Sequence, residues 1–226
     1  MTRRRAILFD LDGTLVDTND LHVEAWDRAF REHGHHFTRE QIHGQVGKGG
    51  DNLLPSLLPN SSEGEREEID RRHGEIYKGE LMPTASAFPS ASDLLKRTKD
   101  EGLKVILASS AGAEEIDHYV ELLGRDLISF TTGKDDVEAS KPCPDIFDAA
   151  LEKGSLKPEE AIVIGDTPYD VIAAKRAGLD CIALLSGGFS EEELRRAGAI
   201  AVYRDAADLL DHWHELPVAR TADAAS

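Results

Sequence analysis

Five short, continuous apolar runs set the frame of this 226-residue chain: Ala6–Phe9, Val105–Ala108, Ala161–Ile164, Cys181–Leu185 and Ala199–Val202. None alternates apolar with polar residues, which is the pattern of strands covered on both faces, as in a parallel sheet. Leu127–Thr131 is a weaker sixth candidate. Helical spacing fills the gaps. Ile116, Tyr119, Val120 and Leu123 fall at i, i+3, i+4 and i+7. Ser90–Glu101 carries Leu94 and Leu95 and stops at Gly102 in a C-cap position, and a helix opened by Pro168 closes at Gly178. Strand–helix–strand alternation predicts a layered α/β domain.

Residues 19 to about 80 break that rhythm and contain no convincing strand. They read as helices Asn19–His33, Thr38–Gln45, Asp51–Leu58 and Glu63–Lys78, with Gly34 ending the first and Asp51 capping the third. The expected organisation is therefore a core of residues 1–17 and 82–216, a helical insertion at 18–81, and a disordered tail at 217–226. Glu63–Arg72 mixes charges and reads as a solvated helix face.

Composition excludes several classes. Apolar residues make up 40% and charged residues 31%, enough for a packed core and unlike disorder. The net charge of −17 opposes binding to a phosphate backbone, so no nucleic-acid partner is expected. No apolar run is long enough for a membrane span. Arg3, Arg4 and Arg5 precede an apolar run that ends at Asp10, too short for a secretory signal. Two cysteines, Cys143 and Cys181, cannot make a disulfide framework. A soluble cytoplasmic protein is expected, and a monomer, although no residue fixes the oligomeric state.

The chemistry concentrates at strand ends. Asp10-Leu11-Asp12-Gly13-Thr14 directly follows the first run, and open α/β sheets bind ligands beyond the carboxyl ends of their strands. An EF-hand loop needs glycine at its sixth position, where this sequence has Leu15. A Walker phosphate loop needs Ser or Thr after its lysine, where Lys48 is followed by Gly49. Val105–Ala108 ends in Ser109 and Ser110; Lys141 lies in Ser140-Lys141-Pro142 ahead of a helix; Ala161–Ile164 ends in Gly165-Asp166-Thr167-Pro168-Tyr169-Asp170. Carboxylates at two strand ends can share a hard cation such as Mg²⁺, and hydroxyl and lysine donors can neutralise an oxyanion.

These four pieces, in this order, resemble the motifs of the haloacid dehalogenase-like hydrolase superfamily. Asp10–Thr14 matches the first motif, with the specific continuation Leu15-Val16-Asp17-Thr18; Ser109 matches the second, Lys141 the third and Gly165–Asp170 the fourth. The likeness covers about residues 5–205. The helical block is similar to the small cap of the phosphoglycolate phosphatase and β-phosphoglucomutase branch. The resemblance implies a Rossmann-like parallel sheet under an α-helical cap. It implies Asp10 as the nucleophile that forms an aspartyl-phosphate, and Asp12 as the acid–base. Dehalogenase members lack the second aspartate, so Asp12 favours phosphoryl chemistry. Mg²⁺ would be held by the Asp10 carboxylate, the Asp12 backbone carbonyl and Asp166, with Asp170 supporting the metal or orienting Lys141. Ser109, Ser110 and Lys141 would hold phosphate oxygens, and Thr14, grouped with these phosphate contacts, would orient that region.

Weaker candidates sit in the insertion. His22, one turn into the first cap helix, matches a histidine that handles protons in the mutase branch; hinge packing is its alternative. Lys48, in Gly47-Lys48-Gly49-Gly50, could reach an anionic substrate or lie in solvent. His33, His35 and His36 have no spaced acidic or cysteine partner and read as a polar loop. The function implied is a Mg²⁺-dependent phosphatase of small phosphorylated metabolites. A sugar phosphomutase needs the same core, plus a cationic second-phosphate site in the cap, where no arginine lies between Glu40 and Glu65. A non-catalytic binding protein on this scaffold would lack the nucleophile or the lysine, and both are present.

Overall fold

The apolar runs are strands because each of their faces meets a different half of the core. The computed structural model describes residues 4–218. Its main sheet contains β1 (Ala6–Phe9), β4 (Lys104–Ala108), β5 (Phe130–Thr132), β6 (Ala161–Gly165), β7 (Asp180–Leu184) and β8 (Ala201–Tyr203), in the order β5-β4-β1-β6-β7-β8. Every pairing is parallel, with Phe9 level with Leu107 on one side and Ile164 on the other. Ile7, Phe9, Val105, Leu107, Ile162 and Ile164 pack into one apolar cluster, while Ala6, Leu8, Ile106, Ala108, Ala161 and Val163 pack into the other. Period-two geometry thus uses both faces of every central strand, which leaves no position for polar alternation.

Helices α5 (Ala91–Asp100), α6 (Ala113–Leu123), α7 (Asp145–Gly154), α8 (Pro168–Arg176), α9 (Glu191–Ala197) and α10 (Ala206–Asp211) supply the covering layers. The chain runs outward from β1 through β4 to β5, then returns to β6 on the opposite side of β1. The strand order therefore reverses beside β1, and that reversal opens a crevice at the carboxyl ends of β1, β4 and β6.

The cap lies between two short strands, β2 (Val16–Asp17) and β3 (Ser86–Ala87), which pair antiparallel with Asp17 opposite Ser86. Its helices are α1 (Asn19–Glu32), α2 (Arg39–His43), α3 (Gly50–Leu57) and α4 (Glu63–Ile76), followed by a π-helical turn at Tyr77–Leu81. Thr38 caps α2 with a reciprocal Gln41 contact, and Ser62 accepts from the Glu65 amide at the start of α4.

Several expectations need correction. Gly49, not Asp51, is the N-cap of α3, and Asp51 instead accepts from the backbone amide of Ser140 at 3.0 Å. The cap helix is thereby pinned to the core loop that carries Lys141, with Asn52 donating to the Ser140 carbonyl at 2.9 Å. The weaker strand candidate, β5, starts only at Phe130, because Arg125–Leu127 closes a 3₁₀ turn first. The core continues past residue 216, since Val218 is buried with Leu216 in the larger cluster; the rest of the expected disordered tail, 219–226, lies outside the described residues. His35 reaches Glu65 at 2.9 Å, as a polar loop residue does, and Cys181 is buried within β7. No helix among the described residues is long and apolar enough to cross a membrane.

Candidate active site

Asp10 is the first residue beyond β1, and its amide donates to the Ile164 carbonyl, extending the ladder by one step. The chain then turns sharply, with the Leu11 carbonyl accepting from the amides of Thr14, Leu15 and Val16. Gly13 makes the turn possible. Its φ is +74°, and a Cβ there would lie 2.3 Å from an Asp166 carboxylate oxygen. Gly187, after β7, packs against the other side, where a Cβ would lie 1.8 Å from that same oxygen. The aspartate is thus seated in a cradle lined by two glycines.

The buried polar groups form one connected cluster. Lys141 Nζ donates to Asp10 Oδ1 at 2.5 Å and lies 2.7 Å from Asp170 Oδ1. Lys141 is 1% exposed, and Asp166 and Asp170 are fully buried. The other Asp170 oxygen accepts from the Thr167 amide and hydroxyl at 3.0 and 2.7 Å, inside the capping box of α8. One side chain therefore starts a helix and anchors the lysine. Thr14, expected among the phosphate contacts, is fully buried and donates to Asp166 Oδ1 at 2.7 Å; it holds a carboxylate rather than facing the crevice.

Asp10, Asp166 and Asp170 each offer an oxygen within 4.8 Å of the others. Burial pushes Asp10 up to about 7 against the pull of Lys141, with Asp170 adding repulsion. Burial and the negative charges of Asp170 and Asp10 drive Asp166 well above the usual carboxylate range. Such a cluster is short of positive charge. Its donors are all hard oxygens, without histidine or cysteine, which suits Mg²⁺ rather than zinc or a soft transition metal. The residues present therefore fit a divalent cation. The Asp12 carboxylate is not in the trio. It turns toward the cap, accepting from Thr18 Oγ1 at 2.7 Å and from His22 Nε2 at 3.3 Å. Despite opposing burial, His22 holds Asp12 below its ordinary value, and Asp12 in turn raises His22.

Behind His22 stands a residue that sequence reasoning missed. His73 Nε2 lies 3.4 Å from His22 Nδ1, stacked on Trp26 with ring centroids 3.8 Å apart. Burial, then the nearby His22 charge, lowers His73 well below its usual value. Tyr77 stacks on a face of His22 with ring centroids 3.8 Å apart. No sequence spacing links position 22 to position 73; helix packing brings them together.

Above the carboxylates lies a cavity of about 610 Å³, between Asp10, Ser109 and Lys141 on the core side and His22, Lys48 and His73 on the cap side. That volume suits a small molecule. Ser109 Oγ accepts from the Ala111 amide at 3.1 Å, and Ser110 Oγ is buried without a partner. Both stand before the N-terminus of α6, where backbone amides favour anions. Lys48 is held by Gln45 at 2.6 Å and Ser56 at 3.2 Å, over the Tyr169 ring, and burial lowers its pKa. Cys143 is a free, half-buried thiol outside this cavity.

Carboxylates at two adjacent strand ends of an open parallel sheet, a buried lysine and a helical cap make a site suited to phosphoryl chemistry. The chain belongs to the haloacid dehalogenase-like hydrolases: that family's model matches residues 7–184. It is 28% identical over 223 residues to the phosphoglycolate phosphatase of Rhodospirillum rubrum, covering 94% of this chain and 92% of that one. It is 28% identical over 186 residues to pyrophosphatase PpaX of Oceanobacillus iheyensis, covering 80% and 83%. The crystal structure of a hydrolase from Pseudomonas syringae superposes with a TM-score of 0.88 at 35% identity, covering 94% of this chain and 99% of that one. The chain is accordingly an enzyme of the phosphatase class within this family.

Proposed function

We propose that this phosphatase hydrolyses small phosphorylated metabolites in a Mg²⁺-dependent reaction through an aspartyl-phosphate on Asp10. The observation that carries the reading is the Asp10 carboxylate, 3% exposed at the cavity floor, ion-paired to Lys141 with a second aspartate two residues on. An Asp10 oxygen attacks phosphorus, and the bond from phosphorus to the ester oxygen breaks. The leaving oxygen takes a proton through Asp12, from the one proton that Asp12 and His22 share across their 3.3 Å contact. Asp12 then accepts a proton from a water that attacks the same phosphorus, which frees inorganic phosphate and restores Asp10. Lys141 steadies the Asp10 charge, and Ser109, Ser110 and the α6 amides receive the non-bridging oxygens. Mg²⁺, held by Asp10, the Asp12 carbonyl and Asp166, would offset the repulsion between carboxylate and phosphate.

Hydrolysis is favoured over phosphoryl return to a sugar. A mutase must hold a second phosphate in the cap, yet the cavity cations Arg71, Lys78 and Lys134 are each paired with carboxylates. Among the described residues only Lys48 lines the cavity without a carboxylate partner, and it is our candidate reader of an anionic substrate group. Relatives named for pyrophosphate and phosphoglycolate support a small acidic substrate.

The test is release of inorganic phosphate from an aryl phosphate with Mg²⁺; a rate no faster than buffer would overturn the reading. Metal-stripped enzyme should be inactive and recover with Mg²⁺, while Ca²⁺, which takes more oxygens at longer distance, should inhibit. Full activity in excess chelator would refute the metal role. Asp12→Asn should lower kcat by roughly 10²–10⁴-fold, as expected for a lost acid–base group. Unchanged kcat in steady-state assays would remove Asp12 from the mechanism.

A further inference from the structure

Asn19 opens the first cap helix, yet its side chain works in the core. It is 7% exposed, and its Nδ2 donates both hydrogens: one to Asp166 Oδ2 at 3.1 Å, the other to the Gly187 carbonyl at 3.1 Å. This fixes the amide's orientation, because a flipped amide would set its oxygen against the Asp166 carboxylate. The remaining oxygen, Oδ1, is buried without a partner, so the arrangement is held at a cost. Thr14 grips the opposite Asp166 oxygen at 2.7 Å. Asp166 is therefore clamped from both sides, by a hydroxyl of the core and an amide of the cap. A second cap residue, His43, lies with its Nε2 2.8 Å from the same Gly187 carbonyl.

We propose that Asn19 is a positioning residue that sets the Asp166 carboxylate for divalent-cation binding and ties the closed cap to the metal site. The inference rests on the metal-dependent reading above. Outer-shell partners that orient a ligating carboxylate are worth about 10–100-fold in metal affinity. Asn19 meets that description by geometry: its donors meet the carboxylate, and its backbone belongs to the cap.

Mn²⁺ binding, followed by electron paramagnetic resonance and by calorimetry without substrate, tests it. Asn19→Ala should weaken Mn²⁺ affinity by roughly 10-fold or more. Asn19→Ser keeps one donor and should fall between Ala and wild type. Asp20→Ala alters the same first turn of α1 at an exposed residue paired with Arg39, and should bind Mn²⁺ like wild type. At saturating Mn²⁺, Asn19→Ala should recover most of its kcat, because the clamp acts on loading the ion. Wild-type affinity in Asn19→Ala, or equal weakening in Asp20→Ala, would overturn the inference. If Asn19→Ala does not fold, wild-type affinity in Asn19→Ser would overturn it. If wild type itself binds no Mn²⁺ and Asp166→Asn changes nothing, the metal-dependent reading fails, and this inference with it.

Discussion

Asp10→Asn should yield a folded protein whose turnover has fallen by about 10⁴-fold or more, because the covalent route needs a carboxylate oxygen that an amide cannot supply. The substitution is nearly isosteric, so the cavity keeps its shape. It removes one negative charge from a group of three buried carboxylates, and Lys141 keeps Asp170 as its partner at 2.7 Å. Loss of activity should therefore come without loss of fold. The check is single-turnover phosphate release beside a thermal melt. Retained kcat within tenfold of wild type would end the aspartyl-phosphate mechanism. An equally large fall in melting temperature would make the loss structural.

Lys141→Met should be the most destabilising single substitution at the site. The lysine is 1% exposed and bridges Asp10 and Asp170, so its removal leaves three carboxylates crowded in a poorly solvated pocket. Breaking a buried ion pair from one side costs about 3–5 kcal/mol, which for a chain of this size is roughly 10 °C in Tm. The pH dependence has a definite sign. Burial already raises Asp10 to about 7, and removing the lysine raises it further. A carboxyl raised in the folded state favours folding at low pH, and that advantage is lost as pH climbs through the folded value. The deficit in Lys141→Met should thus be smaller at pH 5 than at pH 8, and Mg²⁺ should restore part of it by binding the native state. An unchanged Tm at pH 8 would show that the ion pairs are not stabilising. A deficit equal at both pH values would place its origin in packing.

The candidate site was legible because its signals are local. A strand buried on both faces is written as an apolar run, and an acidic pair directly after Phe9 marks where the sheet ends and the ligand crevice begins. Ser109, Lys141 and Asp166 were found by the same reasoning, each beside an apolar run or a helix start. Thr14 was recognised, but its partner was not: its loop turns inward at Gly13 and sends the hydroxyl to Asp166. Asp51 suits a helix cap by composition; only packing showed it bonded to Ser140 across the domain junction. Asn19 and His73 gave no sequence signal, because an asparagine at a helix start and a histidine in a charged helix are both ordinary.

The sequence by itself determined the class of fold, the helical stretch from residue 19 to about 80, and the ionisable groups placed at the strand ends. Periodicity and strand-end chemistry are properties of neighbouring residues, so they survive without coordinates. The tertiary structure alone decided which groups touch. Asp10 meets Lys141 across 131 positions, and Asp166 meets Asn19 across 147. Those contacts follow from strand order, from the crossing of the chain beside β1, and from the way α1 and α4 pack above the sheet. They also decide which carboxylate loses its solvation, and so which of several similar aspartates is held between Thr14 and Asn19 and which lies against His22.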